Sequence, residues 1–476
     1  MKRQVYNPYL PNYEYIPDGE PHVFEDRLFI YGSHDRFGAD FFCANDYVLW
    51  SAPVDDLSDW TFHGTIFRKE QDPLNLGEDS PLFAPDVARG NDGKYYLYYC
   101  PCNTKSIGVA VSETPYGPFE FLDHVKYENG KLLGQNEYDP FPFDPAILVE
   151  EDGIYLYLGF DPDPTWDFME REFGRLELSH GAYVARLSED MHTCLEVSGI
   201  EILDCPDKGH DFFEASSIRR FNDTYYFIYS SWNSHELCYA MSEDPKGPFT
   251  YKGILHDNGD IGLVSEENRV SYTGNNHGSL VQVKDAFYIF GHRQTNYFAY
   301  ARQGVAEKIF MNPDGTFDQA EMTSCGLNDS YLVPQGTYGA YIACHLTSKN
   351  GASHYLDVCD EIFKENNPAF SQDGEDREKD PDQYIRNIKD GTTCGFKYFM
   401  YKEDLNISLK TRGDEGSFLV RTSLNGPVLC KIKVEEGKTY HRSETSSFHI
   451  VPCQRFALYL TYEGKGSVDL LEFTLS

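Results

Sequence analysis

The chain has no run of about 18 consecutive apolar residues, so nothing in it reads as a membrane-spanning helix. It also lacks an excess of cations: 76 Asp and Glu stand against 41 Lys and Arg, a net charge of −35. That balance argues against nucleic acid and anionic membranes as partners, because affinity for phosphate comes from clustered Lys and Arg. It favours a neutral substrate. Cysteines at CxxC spacing are absent. Cys100 and Cys102 form CPC, which is not a zinc spacing, and most of the twelve cysteines read as buried reduced thiols. Lys2 and Arg3 are followed by no apolar stretch, and Asn7 and Pro8 interrupt at once, so no secretory signal is seen and a cytoplasmic location is expected. Long helical periodicity is scarce.

Aromatics and short strands are abundant. The 476 residues include 35 Tyr and 33 Phe, set in apolar runs of four to seven residues bounded by Asp, Asn, Gly and Pro. This is the pattern of an all-β protein built from hairpins. One unit recurs five times, a short strand, an acidic turn and an aromatic strand: HVFEDRLFIYGS, VARGNDGKYYLYYC, ILVEEDGIYLYLGF, SIRRFNDTYYFIYSS and LVQVKDAFYIFGH. The turn residues Asp26, Asp92, Asp152, Asp223 and Asp285 are separated by 66, 60, 71 and 62 residues. Three units carry a later echo, SAPVDDLSDWTF, VSETPYGPFEF and MSEDPKGPFTY. About four strands per unit, five times over, predict a five-bladed β-propeller over residues 1–330. A plain sandwich would show no such long period. From about Thr337 the strands continue without it, which predicts a separate β-sandwich, jelly-roll-like, over 331–476. Within it SQDGEDREKDPDQ (371–383) reads as a solvated loop and not as a site.

The first strand of each propeller blade lines the central channel. Just ahead of the five turns stand Asp18, Asp86, Asp144, Glu214 and His277, at offsets of eight, six, eight, nine and eight residues. Carboxylates that converge repel one another and are costly to desolvate, so the pattern calls for a reason. One is a cation site, with calcium as the natural ion for oxygen ligands. The other is a glycosidase pair, one carboxylic acid protonating the leaving oxygen and one carboxylate activating water. Phe83, Phe143, Trp166, Phe212, Phe213 and Trp232 lie beside these positions, and aromatic faces suit the C–H faces of sugars.

At these residues the sequence resembles glycoside hydrolase family 43, the propeller enzymes that include β-xylosidases and α-L-arabinofuranosidases. The matching segments are NPYLPNYEYIPDGEPHVFEDRLFIYGSHD, FAPDV, FDPAILVEEDG, FEASSIRRFNDTYYFIYS and NHGSLVQVKDAFYIFGHR, over roughly 5–320. The resemblance implies Asp18 as general base, Glu214 as general acid and Asp144 as the residue that orients the acid and tunes its pKa. It implies His277 as an axial residue that reaches a metal through water, and Asp86 as a pocket position. Arg293 would hold Asp144 or a sugar hydroxyl, with Phe83, Phe143 and Trp232 as substrate contacts. It further implies inversion, removal of terminal arabinofuranosyl or xylosyl residues from small oligosaccharides, no required cofactor, and room for a structural calcium ion in the channel. Two positions depart from the family pattern: Gly19 follows the base, and Ala215 and Ser216 follow the acid. The C-terminal part resembles family 6 carbohydrate-binding modules in GFKYFMY, LNISLKTRG, FLVRTS and FALYLTYEGKGSVDLLEFTL. Competing readings are a galactan-cleaving enzyme of the same fold and a sugar-binding propeller without catalysis.

Overall fold

The computed structural model describes residues 4–77, 80–101, 106–162, 179–207, 209–296, 298–352, 354 and 361–476. Cys102 and Trp166 lie outside the described residues. Among the described residues the regular structure is nearly all β-strand, with one α-helix, Glu361–Asn366.

Between Glu20 and Ile309 five sheets follow one another along the chain. Each opens with a hairpin: Glu20–Phe24 with Arg27–Tyr31, Leu82–Arg89 with Tyr95–Pro101, Ala146–Glu150 with Gly153–Phe160, Phe212–Phe221 with Thr224–Ser231, and Leu280–Val283 with Ala286–Thr295. In four of them two residues make the turn and the repeated Asp is the second. Glu25, Asn222 and Lys284, the first turn residues of three, have φ of 54°, 56° and 56°, as the twist of a two-residue hairpin demands. The remaining turn is longer, with Arg89 paired to Tyr95.

The opening strands pack side by side, first on second, second on third, third on fourth, and fifth on first. The fourth joins the fifth through Ser217 Oγ to Ser279 Oγ (2.7 Å) and Arg219 Nε to the Leu280 carbonyl (3.0 Å). A bridge between Gly19 and Gly278 ties the first and fifth. A Cβ on Gly278 would lie 2.0 Å from the Phe290 carbonyl oxygen, so only glycine allows that approach. Five apolar clusters each weld two neighbouring sheets, for example Phe29, Tyr31, Tyr95 and Leu97 between the first and second. Aromatics fill these wedge-shaped gaps and keep their hydroxyls satisfied. Tyr31 donates to the Pro115 carbonyl and Tyr157 to that of Pro245, each at 2.6 Å. Those prolines belong to the VSETPYGP and MSEDPKGP echoes, which gives the second repeat a physical role.

From Gly336 onward the described strands form two sheets, of seven and five strands, that share one core including Phe396, Phe399, Leu458, Leu460 and Phe473. This unit is fastened to the propeller by polar contacts. Lys397 Nζ reaches Asp260 (3.1 Å) and Glu321 (3.0 Å). Loop 371–383 is not wholly solvated as its composition predicts. Its ends, Ser371, Gln372, Pro381 and Gln383, are buried, Asp376 and Arg377 are half-buried against the propeller, and the rest face solvent.

Candidate active site

The carboxylates meet at one end of the ring of opening strands. Asp18, Asp144 and His277 each precede the last residue of their strand (Phe24, Glu150, Val283) by six positions, and Glu214 precedes Phe221 by seven. Bulges on either side of Glu214 absorb the extra residue and re-aim its side chain. The local backbone is unusual: φ is 55° at Asp18, 46° at Asp144 and 64° at Ala215. Such left-handed non-glycine residues store strain and gather at functional sites.

His277 sits between the acids, Nδ1 3.7 Å from Asp144 Oδ2 and Nε2 3.6 Å from Glu20 Oε1. The Ala215 N–H donates to Asp144 Oδ2 at 2.9 Å, which couples Asp144 to the residue after Glu214. On the other side Arg302 Nη1 donates to Asp18 Oδ1 at 3.0 Å, while its Nε and Nη2 grip Asp35 at 2.9 and 3.0 Å. The Asp18 N–H donates to His292 Nδ1 at 3.2 Å.

These surroundings separate the protonation states. Burial alone would raise Asp18, but Arg302 foremost, then His292 and His277, outweigh it and hold its carboxyl below the usual range. Burial and the neighbouring Asp144 push Glu214 well above the usual range, and His277 only partly offsets them. Asp144, raised to about 6 chiefly by burial, stays the more acidic of that pair. For His277 burial acts downward, yet Glu20, Asp144 and Asp18 carry it up to about 9. The surroundings therefore favour the carboxylate form of Asp18, the imidazolium form of His277 and the acid form of Glu214 over that of Asp144. Glu214 is also the most open of the three acids, 17% exposed against 7% for Asp18 and Asp144.

An aromatic wall adjoins Glu214. Phe213 lies edge-on to Trp232 (4.8 Å between centroids), Phe143 tilts on Phe160 (5.1 Å), and Phe83 lies 6.0 Å from Phe143. His235 Nδ1 is 3.6 Å from Glu214 Oε1. Phe212, one position from Phe213, points the other way, into the core between the third and fourth sheets.

Two expected residues stand elsewhere. Asp86 is fully buried beneath the site: its carboxylate meets His22 Nε2 (2.6 Å) and accepts the N–H groups of Val87 and Ile147, which leaves no face for a sugar. The longer second turn explains this. Asp86 is only three residues before its strand end at Arg89, so Phe83 holds the place equivalent to Asp18. Arg293 is buried in the contact with the C-terminal sheets. It donates to the carbonyl of Tyr341 (2.6 Å) and to Gln303 Oε1 (2.8 Å), and stacks 3.9 Å over Phe370. Arg302 reaches the carboxylates instead. Arg293 pairs across the hairpin with Gln303, so its sequence neighbour Arg302 points to the opposite face.

A family model for glycosyl hydrolases family 43 matches residues 22–317. The chain belongs to that family. A xylosidase/arabinosidase of Thermoclostridium stercorarium is 46% identical over 100% of this chain and 99% of its own length. Among solved structures, a family 43 β-xylosidase/α-arabinofuranosidase from a compost microbial metagenome, in complex with xylotriose and in a calcium-free form, is 27% identical over 67% of this chain and 98% of that one, with a TM-score of 0.51. A family 43 arabinoxylan arabinofuranohydrolase from Bacillus subtilis, in complex with cellotetraose, covers 98% of this chain and 96% of its own at 20% identity and a TM-score of 0.51, a likeness of fold. The family 43 fold is a β-propeller, and this chain is a glycoside hydrolase.

Proposed function

We propose that this glycoside hydrolase removes terminal α-L-arabinofuranosyl or β-D-xylosyl residues from plant-derived oligosaccharides with inversion at the anomeric carbon. Asp18 takes a proton from water on one face of the sugar. Glu214 gives its proton to the departing glycosidic oxygen on the other. Asp144 keeps Glu214 protonated by its charge and orients it through the Ala215 N–H. The observation that carries this reading is the asymmetry of one cluster: Arg302 donates to Asp18 at 3.0 Å and favours its carboxylate, while burial, then the neighbouring Asp144, favour the acid form of Glu214. Phe83, Phe143 and Trp232 supply apolar contact to the sugar. The relatives named xylosidase/arabinosidase favour a pentose over galactan cleavage or sugar binding without catalysis. We take residues 1–330 as the catalytic unit and 331–476 as an accessory unit whose likeness to carbohydrate-binding modules rests on sequence.

Calcium in the channel would meet Glu20 and, through water, His277. Glu20 Oε1 and His277 Nε2 are buried without a hydrogen-bond partner and lie 3.6 Å apart, so an ion held by Glu20 and bridged by water to His277 would require a neutral imidazole. The ion would add fixed positive charge beneath the site. Exhaustive dialysis against chelator should then lower Tm; an unchanged Tm counts against the ion.

The substrate is tested with 4-nitrophenyl α-L-arabinofuranoside, β-D-xyloside and β-D-galactoside, the galactoside being expected to be the poorest. Proton NMR of the first-formed sugar should show the anomer opposite to the substrate; early accumulation of the same anomer rejects inversion.

A further inference from the structure

The C-terminal unit touches the propeller where the base is held. Asp376 and Arg377, on the loop between the strands Ala369–Gln372 and Gln383–Ile388, dock on the propeller loop of residues 34–45. Asp376 accepts the Phe37 N–H (2.7 Å) on Oδ1 and Asn45 Nδ2 (3.0 Å) on Oδ2. Arg377 Nη1 lies 2.6 Å from Glu14 Oε1 and donates to His34 Nε2 at 2.8 Å. Burial drives His34 down to about 3, so its ring is neutral. One tautomer then satisfies both nitrogens, with Nδ1–H given to the Asp46 carbonyl (2.7 Å) and Nε2 free to accept from Arg377. Glu14 is fully buried, and Trp50 Nε1 donates to its other oxygen at 2.5 Å. A buried carboxylate of this kind needs the guanidinium that the loop brings.

The clamped loop carries Asp35 next to His34, and Asp35 grips Arg302, the cation that holds Asp18 ionised. Phe42 of the same loop lies under the Arg302 guanidinium at 4.8 Å. Tyr15, three residues before Asp18, is fastened from the same side: its hydroxyl donates to Gln372 (2.6 Å), and its carbonyl accepts the Asp35 N–H (2.9 Å). A continuous set of contacts thus runs from the C-terminal unit to the catalytic cluster.

We infer that the C-terminal unit is part of the hydrolytic apparatus, with Asp376 and Arg377 as positioning residues that set the general base through the 34–45 loop, Asp35 and Arg302. The inference rests on the reading of Asp18 as base. It makes the C-terminal unit a component of catalysis, beyond any role in binding polysaccharide. Both side chains are half-exposed, so their replacement removes no core residue, and Tm reports the cost of leaving Glu14 without its cation.

The test measures kcat, KM and Tm of the full-length enzyme on an aryl pentoside for Arg377→Ala, Arg377→Lys, Asp376→Asn, Lys379→Ala and Asp18→Asn. Arg377→Ala should lower kcat about tenfold with KM within about twofold, because misplacing a catalytic group costs turnover more than binding. Arg377→Lys should recover most of the loss, since it restores the charge beside Glu14, and Asp376→Asn should fall between. Lys379→Ala, exposed on the same loop, should match the parent. Azide needs no general base. With Arg377→Ala it should therefore raise turnover, its nitrogen bonding to the anomeric carbon as the aryloxide leaves with the Glu214 proton, to give a glycosyl azide of inverted configuration. A fall in Tm with kcat unchanged, or a loss of kcat that neither lysine nor azide repairs, would overturn the inference and leave Asp18 as base. Near-parental turnover by Asp18→Asn would instead overturn the reading on which it rests.

Discussion

Asp18 and Glu214 share a cluster and are both taken from water, yet their surroundings push their protonation in opposite directions. The difference lies in their neighbours. Asp18 has a guanidinium at 3.0 Å, itself pinned by a second carboxylate, whereas Glu214 has an anion beside it and only an imidazolium as partial relief. Burial supplies the energy scale, and the placement of one cation decides which carboxyl stays charged.

The contrast breaks most completely at Asp18. Asp18→Asn keeps the shape and removes the base, so kcat should fall about 10³-fold with KM little changed, in line with the usual worth of a general base. Next in size is Arg302→Lys, which keeps a charge but loses the fork that spans Asp18 and Asp35. We expect kcat/KM to drop about 100-fold. The sign of its pH effect follows from the cause: with Arg302 weakened, burial acts on Asp18 less opposed, its pKa rises, and the acid limb of kcat/KM moves to higher pH. Asp144→Asn sharpens the other side. Removing that anion lowers the Glu214 pKa, so the basic limb should move to lower pH and kcat fall about tenfold. With Asp144 raised to about 6 by burial, the parent profile should show an inflection near pH 6 that Asp144→Asn lacks. Smallest is Ala215→Gly, which relieves a left-handed alanine; stability measured by denaturant titration should rise by about 1 kcal/mol, with both pH limbs unmoved.

Much of this was legible from residues alone, for reasons of local chemistry. Tight turns need particular residues, so the repeated Asp marked the hairpins, and counting back from them found Asp18, Asp144, Glu214 and His277. The same count misplaced Asp86 because a longer turn shifted the register by three residues. Arg302 was missed for a different reason. It lies on the return strand Phe298–Ile309, outside the set of opening strands, and reaches Asp18 only because side chains alternate across that hairpin. Arg293 matched by order along the chain but faces the wrong way. Loop 371–383 has the composition of a solvated segment, and composition carries no trace of the buried Glu14 that waits for Arg377.

The most direct measurement compares Glu214→Gln with the parent on aryl glycosides that have good and poor leaving groups. If Glu214 is the proton donor, poor leaving groups should lose about 100-fold or more in kcat/KM while good ones lose less than about tenfold, because only the former need the proton. Equal losses across the series would contradict the assignment.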